Sequence, residues 1–71
     1  MKAKIRLDTL SEVNKFVEVV SRFDERVELV DDEGHCVSAK SILGALYSFE
    51  WKTIYCSCSK DISVSIMPWL I

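Results

Sequence analysis

The run Cys36-Val37-Ser38-Ala39-Lys40-Ser41-Ile42-Leu43-Gly44-Ala45-Leu46 decides how this chain is read. Its first four residues are strand-like, and Lys40 hands over to a short apolar run, with Ser41 at the junction. A serine hydroxyl in that place accepts a hydrogen bond from an otherwise unpaired backbone N–H of a first helical turn, so Ser41 is the expected N-cap of a helix. The same hydroxyl is a candidate phosphorylation site.

Working upstream, Arg26-Val27-Glu28-Leu29-Val30 alternates polar and apolar residues, Asp31 to Gly34 supplies a turn, and His35 to Ala39 returns. The two runs read as a hairpin with Val27, Leu29, Val37 and Ala39 facing inward. Further back, Lys2 to Leu7 places Ala3, Ile5 and Leu7 on one side and Lys2, Lys4 and Arg6 on the other, the pattern of a strand with one buried face. Thr9-Leu10-Ser11-Glu12 has the spacing of a capping box, with Asp8 as an alternative cap. From Leu10 the apolar residues Val13, Phe16, Val17, Val20 and Phe23 form one helical stripe, which predicts a helix ending near Phe23-Asp24.

Working downstream, Ile42, Leu43, Leu46 and Phe49 sit at helical spacing over two turns, a helix too short to stand unless packed. Thr53 to Cys58 reads as a fourth strand whose core face carries Ile54, Cys56 and Cys58. Residues 61–71 fit two patterns. Ile62-Ser63-Val64-Ser65-Ile66 alternates like a strand, whereas Asp61 is a good helix cap and Ile62, Ile66 and Leu70 suit a helix that Pro68 would distort. The order strand, helix, strand, strand, helix, strand, tail predicts an α+β domain over residues 1–71, two layers with helices on one face of an antiparallel sheet.

The chain has 71 residues, so one core must carry it, and chains this short bury only about 60% of their unfolded surface. With 49% hydrophobic and 28% charged residues, two Gly and one Pro, it is not a low-complexity sequence. Nine basic and eleven acidic residues, net charge −2, leave no basic stripe to follow a phosphate backbone, so nucleic acid is not an expected partner. No run approaches the ~18 apolar residues of a membrane span, and the start of the chain alternates rather than forming a signal-peptide core. A cytoplasmic location is the expectation, and three cysteines fit free thiols in a reducing compartment.

The order and spacing of several pieces resemble HPr, the histidine-containing phosphocarrier protein of the bacterial sugar phosphotransferase system. They are Phe16-Val17 with Ser21 and Phe23, Val27-Glu28-Leu29, Val37 with Ala39-Lys40-Ser41-Ile42-Leu43-Gly44, and Thr53-Ile54-Tyr55. The resemblance implies an open-faced two-layer sandwich with strands in the order first, fourth, second, third and two to three helices on one face. It also implies a helix for the tail. In Gram-positive members the serine matching Ser41 is the target of a regulatory kinase. The family's phosphoryl-accepting histidine, and the arginine and proline that follow it, fall on Thr9, Ser11 and Glu12, so none is kept. The acceptor must be an imidazole because its nitrogen takes and releases a phosphoryl group near neutral pH; a threonine ester is stable instead. The segment from Ser41 to Thr53 is also several residues shorter than in the family.

Other residues have plainer readings. His35 reads as an exposed turn histidine, and Asp31-Asp32-Glu33 as a solvated turn rather than a metal site. Cys36, Cys56, Cys58 and His35 can be drawn as a zinc site, but their spacing is not that of a finger or ribbon, and small buried hydrophobes are the preferred role for the thiols. Tyr47, Phe49, Trp51 and Trp69 gather around the second helix and the tail as a candidate partner surface, for a second copy or another protein. The expectation is a non-catalytic, regulatory relative of the phosphotransferase system that works through protein contacts, with no cofactor and no metal. A phosphoprotein regulator using Ser41, and a ferredoxin-like ligand- or metal-binding module, are the alternatives.

Overall fold

A computed structural model describes residues 1–71. The elements are β1 (Lys2–Ile5), α1 (Leu10–Val20), β2 (Val27–Val30), β3 (Cys36–Ser38), α2 (Ile42–Tyr47), a 3-10 turn (Ser48–Glu50), β4 (Ile54–Cys58) and a second 3-10 turn (Met67–Trp69). The four strands form one antiparallel sheet in the order β1-β4-β2-β3. β4 and β2 are therefore central. The ferredoxin-like arrangement, which puts the first and third strands in the middle, is not the topology of this sheet.

The two-residue alternation of each strand builds the platform under the helices. Ala3 lies opposite Cys56, Cys56 opposite Leu29, and Leu29 opposite Val37, so one row crosses all four strands on the helix side. Cys56 and Leu29 in its middle are fully buried. α1 lays Val13, Phe16, Val17 and Val20 on this platform, and all four are buried. It starts as expected: Thr9 caps it, its hydroxyl accepts from the Glu12 N–H (3.1 Å), and Glu12 reaches back to the Thr9 N–H (3.1 Å). The α-helix ends three residues before the expected end. The Arg22 N–H turns to Val19 O and the Phe23 N–H to Val20 O (both 3.2 Å), a tightening into 3-10 bonds that satisfies the last carbonyls.

α2 turns the opposite way from the simple apolar reading. Ala45 and Ser48 are fully buried and Leu46 is half-buried against the core, while Ile42, Leu43 and Tyr47 of α2 and Phe49 of the 3-10 turn after it are exposed. The reason is close approach. A Cβ on Gly44 would come within 3.0 Å of Ser38 O and 3.3 Å of Val37 Cβ, so any side chain there would be tight and would push the helix backbone or β3 apart by a few tenths of an ångström. The buried Ser48 hydroxyl donates to Ala45 O (2.6 Å) and so leaves no unsatisfied polar group beneath the helix.

The tail is neither the expected α-helix nor a strand. Asp61 does act as a cap, accepting from the Ser63 N–H (3.0 Å) and hydroxyl (2.6 Å), but only one turn follows, closed by the Ile66 N–H on Ile62 O (3.2 Å). That turn buries Ile62 and Ile66 and leaves Val64 exposed, which breaks the strand alternation. Pro68 has no N–H and disfavours a helical residue before it, so the chain leaves by a 3-10 turn. It then runs back along β1: Arg6 N–H donates to Trp69 O (2.8 Å), and Leu70 bridges Ile5. The sandwich thus has two α-helices and not three. No helix is long and apolar enough to cross a membrane.

Trp69 packs edge-on against Phe16, ring centroids 5.3 Å apart at 89°, and this contact joins the tail to α1 over the sheet. Phe16→Ala removes a fully buried ring and one half of that pair. Its expected penalty is about 3–5 kcal/mol, most of the stability of a chain this size, and urea denaturation followed by tryptophan fluorescence measures it.

Candidate functional site

The expected partner surface divides in two. Trp69 does not belong to it, since it is buried in the core against Phe16. Tyr47 and Phe49 are exposed, and beside them lie Ile42 and Leu43, which the apolar spacing had placed inward. All four follow the Ser41 cap in one short segment, but Phe49 lines a cleft beside β1 and Tyr47 lines another beside Asp31 and His35. The signal in the sequence was the run of small residues Gly44, Ala45 and Ser48, whose spacing marks the side of a helix that approaches another backbone.

Ser41 is exposed at the start of this segment, and its hydroxyl oxygen accepts from the Gly44 N–H (3.1 Å). Thr9, at the start of α1, is equally exposed, but the surroundings of that helix start are occupied. Glu12 Oε1 accepts from both the Asp8 N–H (2.9 Å) and the Thr9 N–H (3.1 Å), and Thr9 Oγ1 takes the Glu12 N–H. A carboxylate therefore already sits where an anion would meet the positive end of the helix dipole.

Trp51 follows the 3-10 turn and is half-buried, stacked on the His35 ring with centroids 5.6 Å apart and 23° between planes. His35 is exposed at the turn, as expected, and its ring is also engaged. Its Nδ1 lies 2.7 Å from Asp31 Oδ2, while Asp31 Oδ1 accepts from the His35 N–H (2.8 Å) and the Glu33 N–H (3.0 Å). Asp31, however, is not solvated, with its side chain 5% exposed. Burial acts to raise its pKa, but the hydrogen bonds from the His35 ring and backbone and from Glu33, with the imidazole charge, outweigh it and hold the carboxyl below its ordinary value. Asp31, Glu33 and His35 bring ligand-capable atoms within 4.8 Å of one another, although the Asp31 oxygens are engaged by the turn itself. Glu33, Glu50, Lys52 and Tyr47 line a cleft of about 180 Å³ beside the stacked pair.

The three cysteines do not converge. Cys56 and Cys58 are buried on the helix side, and Cys36 is exposed on the open face, its thiol donating to Glu28 Oε2 (3.2 Å). That hydrogen bond, with partial burial and the Glu28 charge, raises the Cys36 pKa against the opposing pull of Arg26. Burial, reinforced by neighbouring Cys58, pushes the Cys56 thiol up to about 11.

No family model, no curated protein and no solved structure matches this chain.

Two measurements check the geometry. In the native protein at mildly alkaline pH, a thiol reagent is expected to modify Cys36 first and to reach Cys56 and Cys58 only after unfolding, because burial excludes the reagent and suppresses the Cys56 thiolate. Asp31 has a folded pKa lowered from 3.8, so its contribution to stability is present above that value and is lost as pH falls through the folded one. Asp31→Asn is expected to lower the urea midpoint at neutral pH, and the gap from wild type should close at acid pH.

Proposed function

We propose that this domain is a non-catalytic, HPr-like regulatory protein of the cytoplasm that works by protein contact through the outer face of α2. The observation that carries this reading is the exposure of four large apolar side chains, Ile42, Leu43, Tyr47 and Phe49, in one short segment whose sequence has no charged residue between Ser41 and Phe49. Large apolar side chains held out in water by one short segment gain by being covered by another protein. The sheet order β1-β4-β2-β3 and the serine cap of α2 support the likeness to HPr. At the matching start of α1, Thr9 cannot serve as a reversible phosphoryl acceptor, and Glu12 sets a negative charge there. The phosphorelay step is therefore lost, while the surface on which such a fold meets other proteins is retained.

A second reading follows from the exposure of Ser41. A dianion at that oxygen would stand at the start of α2 beside Ile42 and Leu43, and would change which partner the face accepts. On this reading a regulatory kinase is itself a partner.

Incubation with the first enzyme of the phosphotransferase system and labelled phosphoenolpyruvate is expected to leave no acid-labile phosphate on the chain; a labelled phosphoramidate would overturn the non-catalytic reading. Incubation with an HPr kinase and ATP separates the two regulators. One added phosphate, absent from Ser41→Ala, supports the second, and a single unmodified mass removes it.

A further inference from the structure

The β1–β4 ladder ends at Ile5 opposite Ile54. Past that pair the chain runs on to Leu7 and Asp8 on one side and comes in from Phe49 and Trp51 on the other, and the two lengths flank a cleft of about 350 Å³. That volume lies at the lower end of the ~300–1,000 Å³ usual for small-molecule clefts, so it suits a compact ligand.

The lining is of two kinds. Ile5, Leu7 and Ile54 are buried and give it an apolar base, to which Phe49 and Trp51 add two aromatic rings. Lys4, Arg6 and Lys52, all exposed, contribute three cations against the single carboxylate of Asp8. On a chain of net charge −2 this is a local reversal of sign. The one ion pair among these groups, Arg6 Nε with Asp8 Oδ1, is loose at 4.0 Å, and Lys4 and Lys52 have no ion-pair partner. Cations gathered at a cleft with apolar walls draw an anion towards it.

Trp51 adds a separate sign. Its indole N–H is the one buried side-chain polar group in the protein without a hydrogen-bond partner, while its ring is held by the stack on His35. Buried donors are nearly always paired, so one left over on a residue that lines a cleft points to an acceptor supplied from outside the chain.

From these observations we infer that the cleft beside Ile5 and Ile54 binds a small organic anion, a carboxylate carried on an aromatic body. The guanidinium of Arg6 matches a carboxylate's two oxygens, Lys52 adds a second positive charge, and Phe49 with the apolar base takes the ring. A bare inorganic anion leaves the apolar base uncovered, and a neutral molecule leaves the cations unanswered. The cleft also lacks the free backbone donors that favour phosphate, since the Asp8 N–H is already taken by Glu12 Oε1 (2.9 Å). Lys4, Arg6 and Lys52 play no part in the contact reading of α2, so this site stands or falls apart from it.

Titration of the isotope-labelled full chain with benzoate, followed by heteronuclear NMR, tests the site. Resonances of Leu7, Thr53, Ile54 and the Trp51 indole N–H are expected to move and to saturate in the millimolar range, as suits so small a probe. Benzyl alcohol, which has the ring without the charge, and inorganic phosphate, which has charge without the ring, should each bind roughly tenfold more weakly or worse. Replacing both cations, Arg6→Gln with Lys52→Gln, should weaken benzoate by roughly tenfold or more, while Lys15→Gln on α1 should leave it unchanged. All three positions are exposed, so the urea midpoint should stay close to wild type.

The absence of any saturable shift overturns the inference, as does saturation that leaves Leu7, Thr53 and the Trp51 indole in place. Benzyl alcohol binding as tightly as benzoate, or a double variant of unchanged affinity, overturns the role of charge. Inorganic phosphate binding as tightly as benzoate overturns the organic ligand and reduces the site to an adventitious ion only.

Discussion

The pairing of β2 with β4 is the contact on which the other elements depend. Leu29 faces Cys56 across this pair, both fully buried, and the two strands come from parts of the chain more than twenty residues apart. Without it, α1 has no full surface for Phe16 and Val13, and β1–β4 and β2–β3 are two separate two-stranded pairs, each marginal in water. Once it forms, the helix-side row of Ala3, Cys56, Leu29 and Val37 is complete. Trp69 then closes the layer by meeting Phe16 from the other side.

The same economy of space explains why the chain exposes what it does. A chain of 71 residues has little interior, and α1, the tail and the strands fill it. α2 packs along a narrow front, where Gly44 passes Ser38 O and Ala45 and Ser48 lie beneath. A helix that approaches on small residues has its large ones left over. Ile42, Leu43, Tyr47 and Phe49 are outside because the inner side of α2 has no room for them, and the proposed function is a consequence of that packing.

Local chemistry was legible wherever it was set within a few residues. The capping box of Thr9 and Glu12, the Ser41 cap, the buried stripe of α1 and the alternation of β4 all depend on contacts at short spacing, and they appear as expected. The sheet order was an inference from likeness to HPr, since alternation says which face of a strand is buried and nothing about its neighbour. The candidate site was half legible. Tyr47, Phe49 and Trp51 were picked out by their size, yet Trp69 belongs to the core, and the engagement of His35 with Asp31 and Trp51 joins a turn to a segment remote in sequence.

By itself, then, the sequence determined where α1 and α2 begin and which strand faces are apolar, because these are properties of neighbouring residues. Only the tertiary structure decided which side of α2 is inside, since Ile42 and Leu43 are as apolar as any core residue and nothing in their spacing reports the distance to Ser38. It decided the path of the tail for the same reason. Residues 61–71 could satisfy two local patterns, and the competition was settled by the room beside Phe16 for one indole and by the free edge of β1, to which Leu70 and Ile71 bind.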